Sequence, residues 1–275
     1  MRSSSKEAGM KPLWDEWHWI EPKIRQAGSV VLFLDYDGTL VPIAPTPAEA
    51  VCPPEVRVLL EGLRDLPNVY PVIISGRSLE DLREKVGVFG ITYVGNHGLS
   101  IQNPAGIHKK RLSPARREEF NILIQALKES LEQIPGILFE DKGLILSVHY
   151  RNVDQEYFGG IQHILEESLK KWKGRWKIAY GKMVYEVRPH MDFNKGKAAR
   201  EILKSYSPRG LLSIYLGDDL TDEGAFRALK GIGITVFVGS GQLASEAEYS
   251  LENPSDVQAF LLRCAQVMRE KISQS

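Results

Sequence analysis

The stretch Val30-Val31-Leu32-Phe33-Leu34-Asp35-Tyr36-Asp37-Gly38-Thr39 decides the fold. Five apolar residues in an unbroken run, closed by a turn signal, read as a strand buried on both faces, the kind found in parallel sheets. Ligands of open α/β sheets bind beyond the carboxyl ends of strands. The strand therefore carries Asp35 and Asp37 to the edge where such a fold does its chemistry. One aspartate there can attack an electrophile and a second can manage the proton. Gly38 lets the backbone turn sharply or approach a ligand closely. Paired acids at a strand end also fit a solvated turn, so the rest of the chain has to decide.

Working outward, the same pattern recurs. Pro53-Pro54 opens a helix with Val56, Leu59, Leu60, Leu63 and Leu66 on one face. Val69 to Ile74 is a second buried strand ending at Ser75-Gly76-Arg77. Ser78 caps the next helix and Gly87 stops it. A third strand, Thr92-Tyr93-Val94, ends at Gly95-Asn96-His97-Gly98. From about Pro104 to Arg188 the pattern changes to helix then hairpin, twice over. The hairpins run from Ile137 through a turn at Asp141-Lys142-Gly143 to Arg151, and from Trp176 around Gly181-Lys182 to Arg188. Asn194 then caps a helix starting at Lys195, and Ser213 to Leu216 is another buried strand ending at Gly217-Asp218-Asp219. A helix from Thr221, a strand from Gly233 to Val238 and a last helix with Val257, Phe260, Leu261 and Val267 complete the chain.

The expected fold class is α/β, a Rossmann-like parallel sheet core with an inserted α+β domain. The core takes residues 29–103 and 189–275, and the insertion takes 104–188. Residues 1–28 form an N-terminal helical extension in which Leu13, Trp14, Trp17, Ile20 and Ile24 fall near helical spacing, for packing on its own core or on another protein.

Composition narrows the function classes. The 275 residues carry 35 basic and 35 acidic side chains, which leaves no electrostatic footprint for nucleic acid or an anionic membrane. No apolar run approaches the roughly 20 residues needed to cross a bilayer. The opening Met1-Arg2-Ser3-Ser4-Ser5-Lys6 lacks the apolar stretch of a signal peptide. Cys52 and Cys264 are too few and too distant for a disulfide framework or a thiolate metal site. A cytoplasmic monomer that binds a small molecule is expected.

Four core strands thus end in functional groups: Asp35 and Asp37, Ser75, Asn96 and His97, Asp218 and Asp219. Aspartates converging on one edge repel one another unless a cation sits among them, and oxygen-only ligands select a hard ion, with Mg²⁺ the default. A helix cap or strand-end turn accounts for any one aspartate but not for the convergence.

Asp35-x-Asp37-Gly38-Thr39, Ser75, Lys195 and Gly217-Asp218-Asp219-x-x-Asp222 resemble, in order, the four motifs of the haloacid dehalogenase superfamily. An insertion between the second and third motifs is similar to the α/β cap of its sugar-phosphate phosphatases. Within these the chain resembles the trehalose-6-phosphate phosphatases, through Ser75-Gly76-Arg77, Asn96-His97-Gly98, Lys182-x-x-x-Glu186-x-Arg188-Pro189 and Gly217-Asp218-Asp219-Leu220-Thr221-Asp222-Glu223.

The resemblance implies roles. Asp35 is the nucleophile and Asp37 the acid and base, its carboxyl still partly protonated near neutral pH. Ser75 and Lys195 hold phosphoryl oxygens. Mg²⁺ is bound by Asp35, the Asp37 carbonyl and Asp218, with Asp219 and Asp222 close behind. Gly38, Thr39, Gly76, Arg77, Asn96, His97 and Arg188 border the substrate, with structural roles open for Arg77, His97 and Arg188. The cap presents Glu140 and Arg151 at the outer ends of the first hairpin, Lys182 at the tip of the second, and Glu186 on its following strand. Cross-strand ion pairing on a solvated face is the competing reading of these four. Joints near Asn103-Pro104 and Pro189-His190 imply a cap that opens and closes. The implied activity is hydrolysis of trehalose 6-phosphate in trehalose biosynthesis, in functional pairing with a trehalose-phosphate synthase. A phosphatase for sucrose 6-phosphate or glucosylglycerol phosphate, a phosphoryl-transferring mutase and a non-catalytic sugar-phosphate sensor stand as alternatives.

Overall fold

In the computed structural model the chain is described over residues 10–109, 112–190, 194–206, 210–240 and 244–274. The opening hexapeptide, read for its lack of an apolar stretch, lies outside the described residues.

A two-residue strand, β1 (Lys11–Pro12), leads into helix α1 (Trp17–Gln26). The apolar run forms β2 (Ser29–Leu34), buried from Val30 onward. Helix α2 (Pro54–Arg64) turns Val56, Leu60 and Leu63 inward, with proline in the first turn, where its missing N–H costs nothing. After β3 (Val69–Ile74), α3 (Leu79–Val86) starts where the Ser78 hydroxyl accepts the Asp81 N–H and ends at Gly87, in the left-handed region at φ 69°. Strands β4 (Thr92–Gly95), β5 (Ser100–Asn103) and β6 (Gly106–Lys109) follow.

The next segment is its own compact unit, His108–Phe193. It comprises α4 (Pro114–Leu131), β7 (Leu138–Asp141), β8 (Leu146–His149), α5 (Phe158–Lys170), β9 (Trp176–Gly181) and β10 (Val184–Pro189). The first unit then resumes with α6 (Lys195–Ser205), β11 (Leu211–Gly217), α7 (Glu223–Leu229), β12 (Gly233–Val238), β13 (Tyr249–Leu251) and α8 (Pro254–Ser273).

The first unit's sheet runs β1-β13-β12-β11-β2-β3-β4-β5-β6. It is parallel from β1 to β4, and β5 turns antiparallel to β4. Leu34 lies opposite both Leu216 and Ile73, and Ile74 opposite Val94. The carboxyl ends of four central strands are therefore level, which is what brings residues far apart in sequence to one edge. The second unit has an antiparallel sheet, β7-β8-β10-β9. One face carries Leu146, Val148, Tyr185 and Val187 into a separate apolar core with Phe120, Leu123, Leu127, Ile161 and Leu165. Trp176 belongs to that core, stacked on Phe120 at 4.5 Å.

Of the two readings of the N-terminal helix, the structure has packing on its own core: Leu13, Ile20 and Ile24 are fully buried in the same core as Leu32, Leu34 and Phe260, each contributing about 1.5–3 kcal/mol of burial. The sheet also gains β1, β5, β6 and β13, which are too short or too polar for periodicity to reveal. Asn103-Pro104, read as a joint, lies between β5 and β6, and the first unit continues to Ile107 before resuming at Asn194. Cys52 and Cys264 are free thiols, both buried.

Candidate active site

Asp35 is the first residue past β2, and its N–H donates to the Leu216 carbonyl at 3.0 Å, which fixes the backbone of the strand end. Its carboxylate is buried, and Oδ1 accepts from Lys195 Nζ at 2.8 Å. Lys195 comes to this place because the Asn194 side chain caps α6 through the Lys197 N–H, making the lysine the helix's first residue. Nζ also donates to Asp222 Oδ1 at 2.8 Å, and the Tyr215 hydroxyl donates to the same oxygen at 2.6 Å. The other oxygen of Asp222 accepts the Asp219 N–H at 3.2 Å.

Burial pushes the Asp35 carboxyl up; the Lys195 ammonium opposes this, and Asp222 and Asp218 add to it. Burial alone would lower the Lys195 ammonium, but the Asp222 and Asp35 carboxylates outweigh it and hold the lysine above its usual value. Burial and the Asp222 charge likewise raise the Tyr215 phenol, which therefore stays a donor.

Asp35, Asp218 and Asp222 each offer a carboxylate oxygen, and the three oxygens lie within 4.8 Å of one another. The site thus gathers three buried carboxylates, of which Asp35 and Asp222 share the Lys195 ammonium. That oxygen-only set suits a hard dication. Gly38 is required beside it: its φ is 84°, and a Cβ there would stand 2.1 Å from Asp218 Oδ2. Asp219, expected as a ligand, lies outside the trio, its Oδ1 accepting the Leu220 N–H at 2.6 Å, and Asp222 stands in its place.

Asp37 meets a different partner from the one the sequence suggested. Its Oδ2 accepts from Arg77 Nε and its Oδ1 from Arg77 Nη2, both at 2.7 Å, and Arg77 Nη1 donates to Asp81 at 2.7 Å. Both Asp37 oxygens thus sit in the guanidinium fork. That this arginine reaches back forty residues to Asp37 is what sequence reading missed.

Ser75 is buried, and its Oγ accepts the Arg77 N–H at 3.2 Å. Gly76 lies against His97, where a Cβ would stand 2.6 Å from the ring. Asn96 and His97 adopt left-handed backbone at φ 52° and 53°, a strain non-glycine residues keep only where surroundings impose it. The Asn96 N–H donates to the Arg77 carbonyl and the His97 N–H to the Ser75 carbonyl, which stitches the loops after β3 and β4 together. Thr39 is fully buried behind Gly38.

In the second unit, Glu140 on β7, Ser147 on β8 and Glu186 on β10 are register neighbours on the sheet's polar face. Lys142 Nζ stands 3.7 Å from Glu140 and 3.6 Å from Glu186, and His149 Nε2 lies 3.0 Å from Glu140. Lys142 and His149 were not singled out from sequence; strict alternation from Glu140 would have found Lys142. Arg151 and Lys182 are exposed in turns, the Arg151 guanidinium donating to the Lys182 carbonyl at 3.3 Å. Lys182 therefore shares no strand face with Glu186. Arg188 is partly buried two residues beyond Glu186, opposite Lys177.

Residues 33–255 match the trehalose-phosphatase family model. The chain is 34% identical over 262 residues to trehalose-phosphate phosphatase B of Arabidopsis thaliana, covering 89% of this chain and 68% of that protein. It is 35% identical over 263 residues to probable trehalose-phosphate phosphatase 2 of Oryza sativa subsp. japonica, covering 86% and 68%. Among solved structures, a trehalose-6-phosphate phosphatase related protein superposes with a TM-score of 0.75 at 25% identity, over 88% of this chain and 99% of that one. A haloacid dehalogenase-like hydrolase from Bacteroides thetaiotaomicron shares the fold, with a TM-score of 0.63 at 15% identity over 86% of this chain and 98% of that one.

Proposed function

The chain belongs to the trehalose-phosphatase family and is a phosphoric monoester hydrolase, and from that premise we propose that it hydrolyses trehalose 6-phosphate to trehalose and phosphate through an aspartyl-phosphate on Asp35. The observation that carries the reading is the buried Asp35 carboxylate held by the Lys195 ammonium at 2.8 Å inside an acidic trio.

In the first step an Asp35 oxygen attacks phosphorus, the bond from phosphorus to the sugar oxygen breaks, and that oxygen takes a proton from Asp37. In the second, water attacks the phosphorus of the acyl phosphate, the bond to Asp35 breaks, and the water proton passes to Asp37. Lys195 and Ser75 hold the phosphoryl oxygens as charge shifts toward them. Asp35 and Asp218, with Asp222, are the residues that would hold Mg²⁺, which would supply further charge neutralisation at the phosphoryl group. Asn96, His97 and the polar face of Glu140, Lys142 and Glu186, with Lys182 and Arg151 in the turns, are assigned to the sugar, and Arg188 to the phosphoryl group. No described helix is long and apolar enough to cross a membrane. The proposed setting is a cytoplasmic monomer whose substrate comes from a trehalose-phosphate synthase.

The test is phosphate release from trehalose 6-phosphate beside sucrose 6-phosphate, glucose 6-phosphate and mannose 6-phosphate, with Mg²⁺ or EDTA. Preference for trehalose 6-phosphate that vanishes with EDTA and in Asp35→Asn is expected. Preference for another ester discards the substrate and keeps the chemistry; no release from folded protein discards both.

A further inference from the structure

Arg77 is buried, its side chain 7% exposed, yet the two-step chemistry gives it no task. A guanidinium taken out of water is costly unless its donors are matched, and here they are matched on both sides. One edge forks onto both oxygens of Asp37 at 2.7 Å, and the remaining nitrogen donates to Asp81 at 2.7 Å. Its plane lies over the Tyr36 ring, 5.3 Å from the centroid, and its backbone N–H is tied to Ser75. Asp81 in turn is fixed in the first turn of α3 by the Ser78 cap.

A side chain anchored on three sides is a rigid arm, and the object at its end is the carboxylate two residues past the nucleophile. Asp37 is the less enclosed partner of the fork, with 37% of its side chain exposed against 7% for Arg77. We infer that Arg77, braced by Asp81, is a positioning residue that fixes where the Asp37 carboxylate stands relative to Asp35. The fork determines the rotamer from which Asp37 reaches the leaving oxygen and, later, the attacking water. This rests on the acid–base reading of Asp37 above. It removes Arg77 from the substrate-contacting set in which sequence reading placed it.

The role has a signature that a packing role lacks, because two substrates divide the reaction. A sugar alkoxide needs a proton to leave; nitrophenolate does not. Hydrolysis of the aspartyl-phosphate needs the base with either substrate. A misplaced Asp37 therefore slows sugar-phosphate turnover and lets phosphoenzyme build up from p-nitrophenyl phosphate.

The experiment uses the full chain with Mg²⁺ and the variants Arg77→Lys and Asp81→Asn, with Asp37→Ala as reference. Lysine keeps the charge but cannot span two carboxylate oxygens. Arg77→Lys is expected to lower trehalose 6-phosphate turnover roughly 10- to 100-fold, within the range acid–base groups supply. Stopped-flow should show a burst of about one nitrophenolate per enzyme, at near wild-type rate, before slow turnover. Asp81→Asn should show the same split, only a few-fold in size. Equal loss with both substrates and no burst, or full sugar-phosphate turnover in Arg77→Lys, overturns the assignment. If Arg77→Lys does not fold, absence of the split in Asp81→Asn overturns it. If Asp37→Ala shows no split, the acid–base reading itself falls and takes the inference with it.

Discussion

The acidic edge of the first unit and the polar face of the second use the same few charged residue types in opposite ways. At the edge, Asp35, Lys195, Asp222 and Tyr215 are buried and joined at 2.6–2.8 Å. On the polar face, Lys142 stands 3.7 Å from Glu140 and 3.6 Å from Glu186, His149 lies 3.0 Å from Glu140, and Arg151 and Lys182 sit exposed in turns. Tight, desolvated contacts hold groups where charge develops and need no rearrangement during reaction. Longer ion pairs exchange a partner for a ligand hydroxyl at small cost. On the proposed function, the contrast separates a place that does chemistry from a place that chooses what the chemistry is done to.

The comparison can be broken at either end. The largest effect belongs to Asp35→Asn, which removes the proposed nucleophile: turnover should fall by about 10⁴-fold or more with either a sugar or an aryl phosphate. Survival of more than a small fraction would move the chemistry elsewhere. Mg²⁺ should raise the melting temperature of the parent protein, since a ligand that binds the folded state stabilises it, and Asp218→Asn should lose both that rise and activity. Lys195→Met removes the ammonium from Asp35 and should lower kcat about 10²- to 10³-fold with little change in KM. On the other side, Glu186→Gln should raise KM for the sugar phosphate roughly tenfold, in line with the 1.5–3 kcal/mol of a hydrogen bond to a charged group. It should leave p-nitrophenyl phosphate nearly untouched. An equal effect on both substrates would erase the division. The smallest kinetic effect should come from Ile24→Ala: about 2–5 kcal/mol of stability lost by denaturant unfolding, with kcat and KM unchanged at assay temperature.

What could be read in the sequence tracks this division. Asp35 was legible because a parallel strand and the turn after it are contiguous, so the residue and its position are written side by side. Lys195 was legible for the same reason, standing directly after a helix cap. The Arg77–Asp37 fork was not, because two loops forty residues apart must meet before it exists. Nor does the Gly217-Asp218-Asp219-x-x-Asp222 string say which acids converge. That depends on the turn into α7, which rotates Asp219 toward its own backbone and Asp222 inward. On the second unit the sheet register decides the neighbours. β8 begins at Leu146, and its register with β7 lands His149 beside Glu140. Strand β1 was missed because two residues have no period to show.

That shortest strand also settles how the sheet ends. The Lys11 and Leu13 amides donate to Glu248 and Ser250 on the strand side. The alternation of a strand points the nitrogen of Pro12 the other way, where proline has no hydrogen to offer. The outer row of this border thus lacks the donor that an incoming chain would need to add itself as another strand, a defence against edge-to-edge aggregation in which a single imino acid suffices. Pro12→Ala should keep fold and catalysis and lose part of that colloidal protection, seen as earlier light scattering on prolonged storage at high concentration.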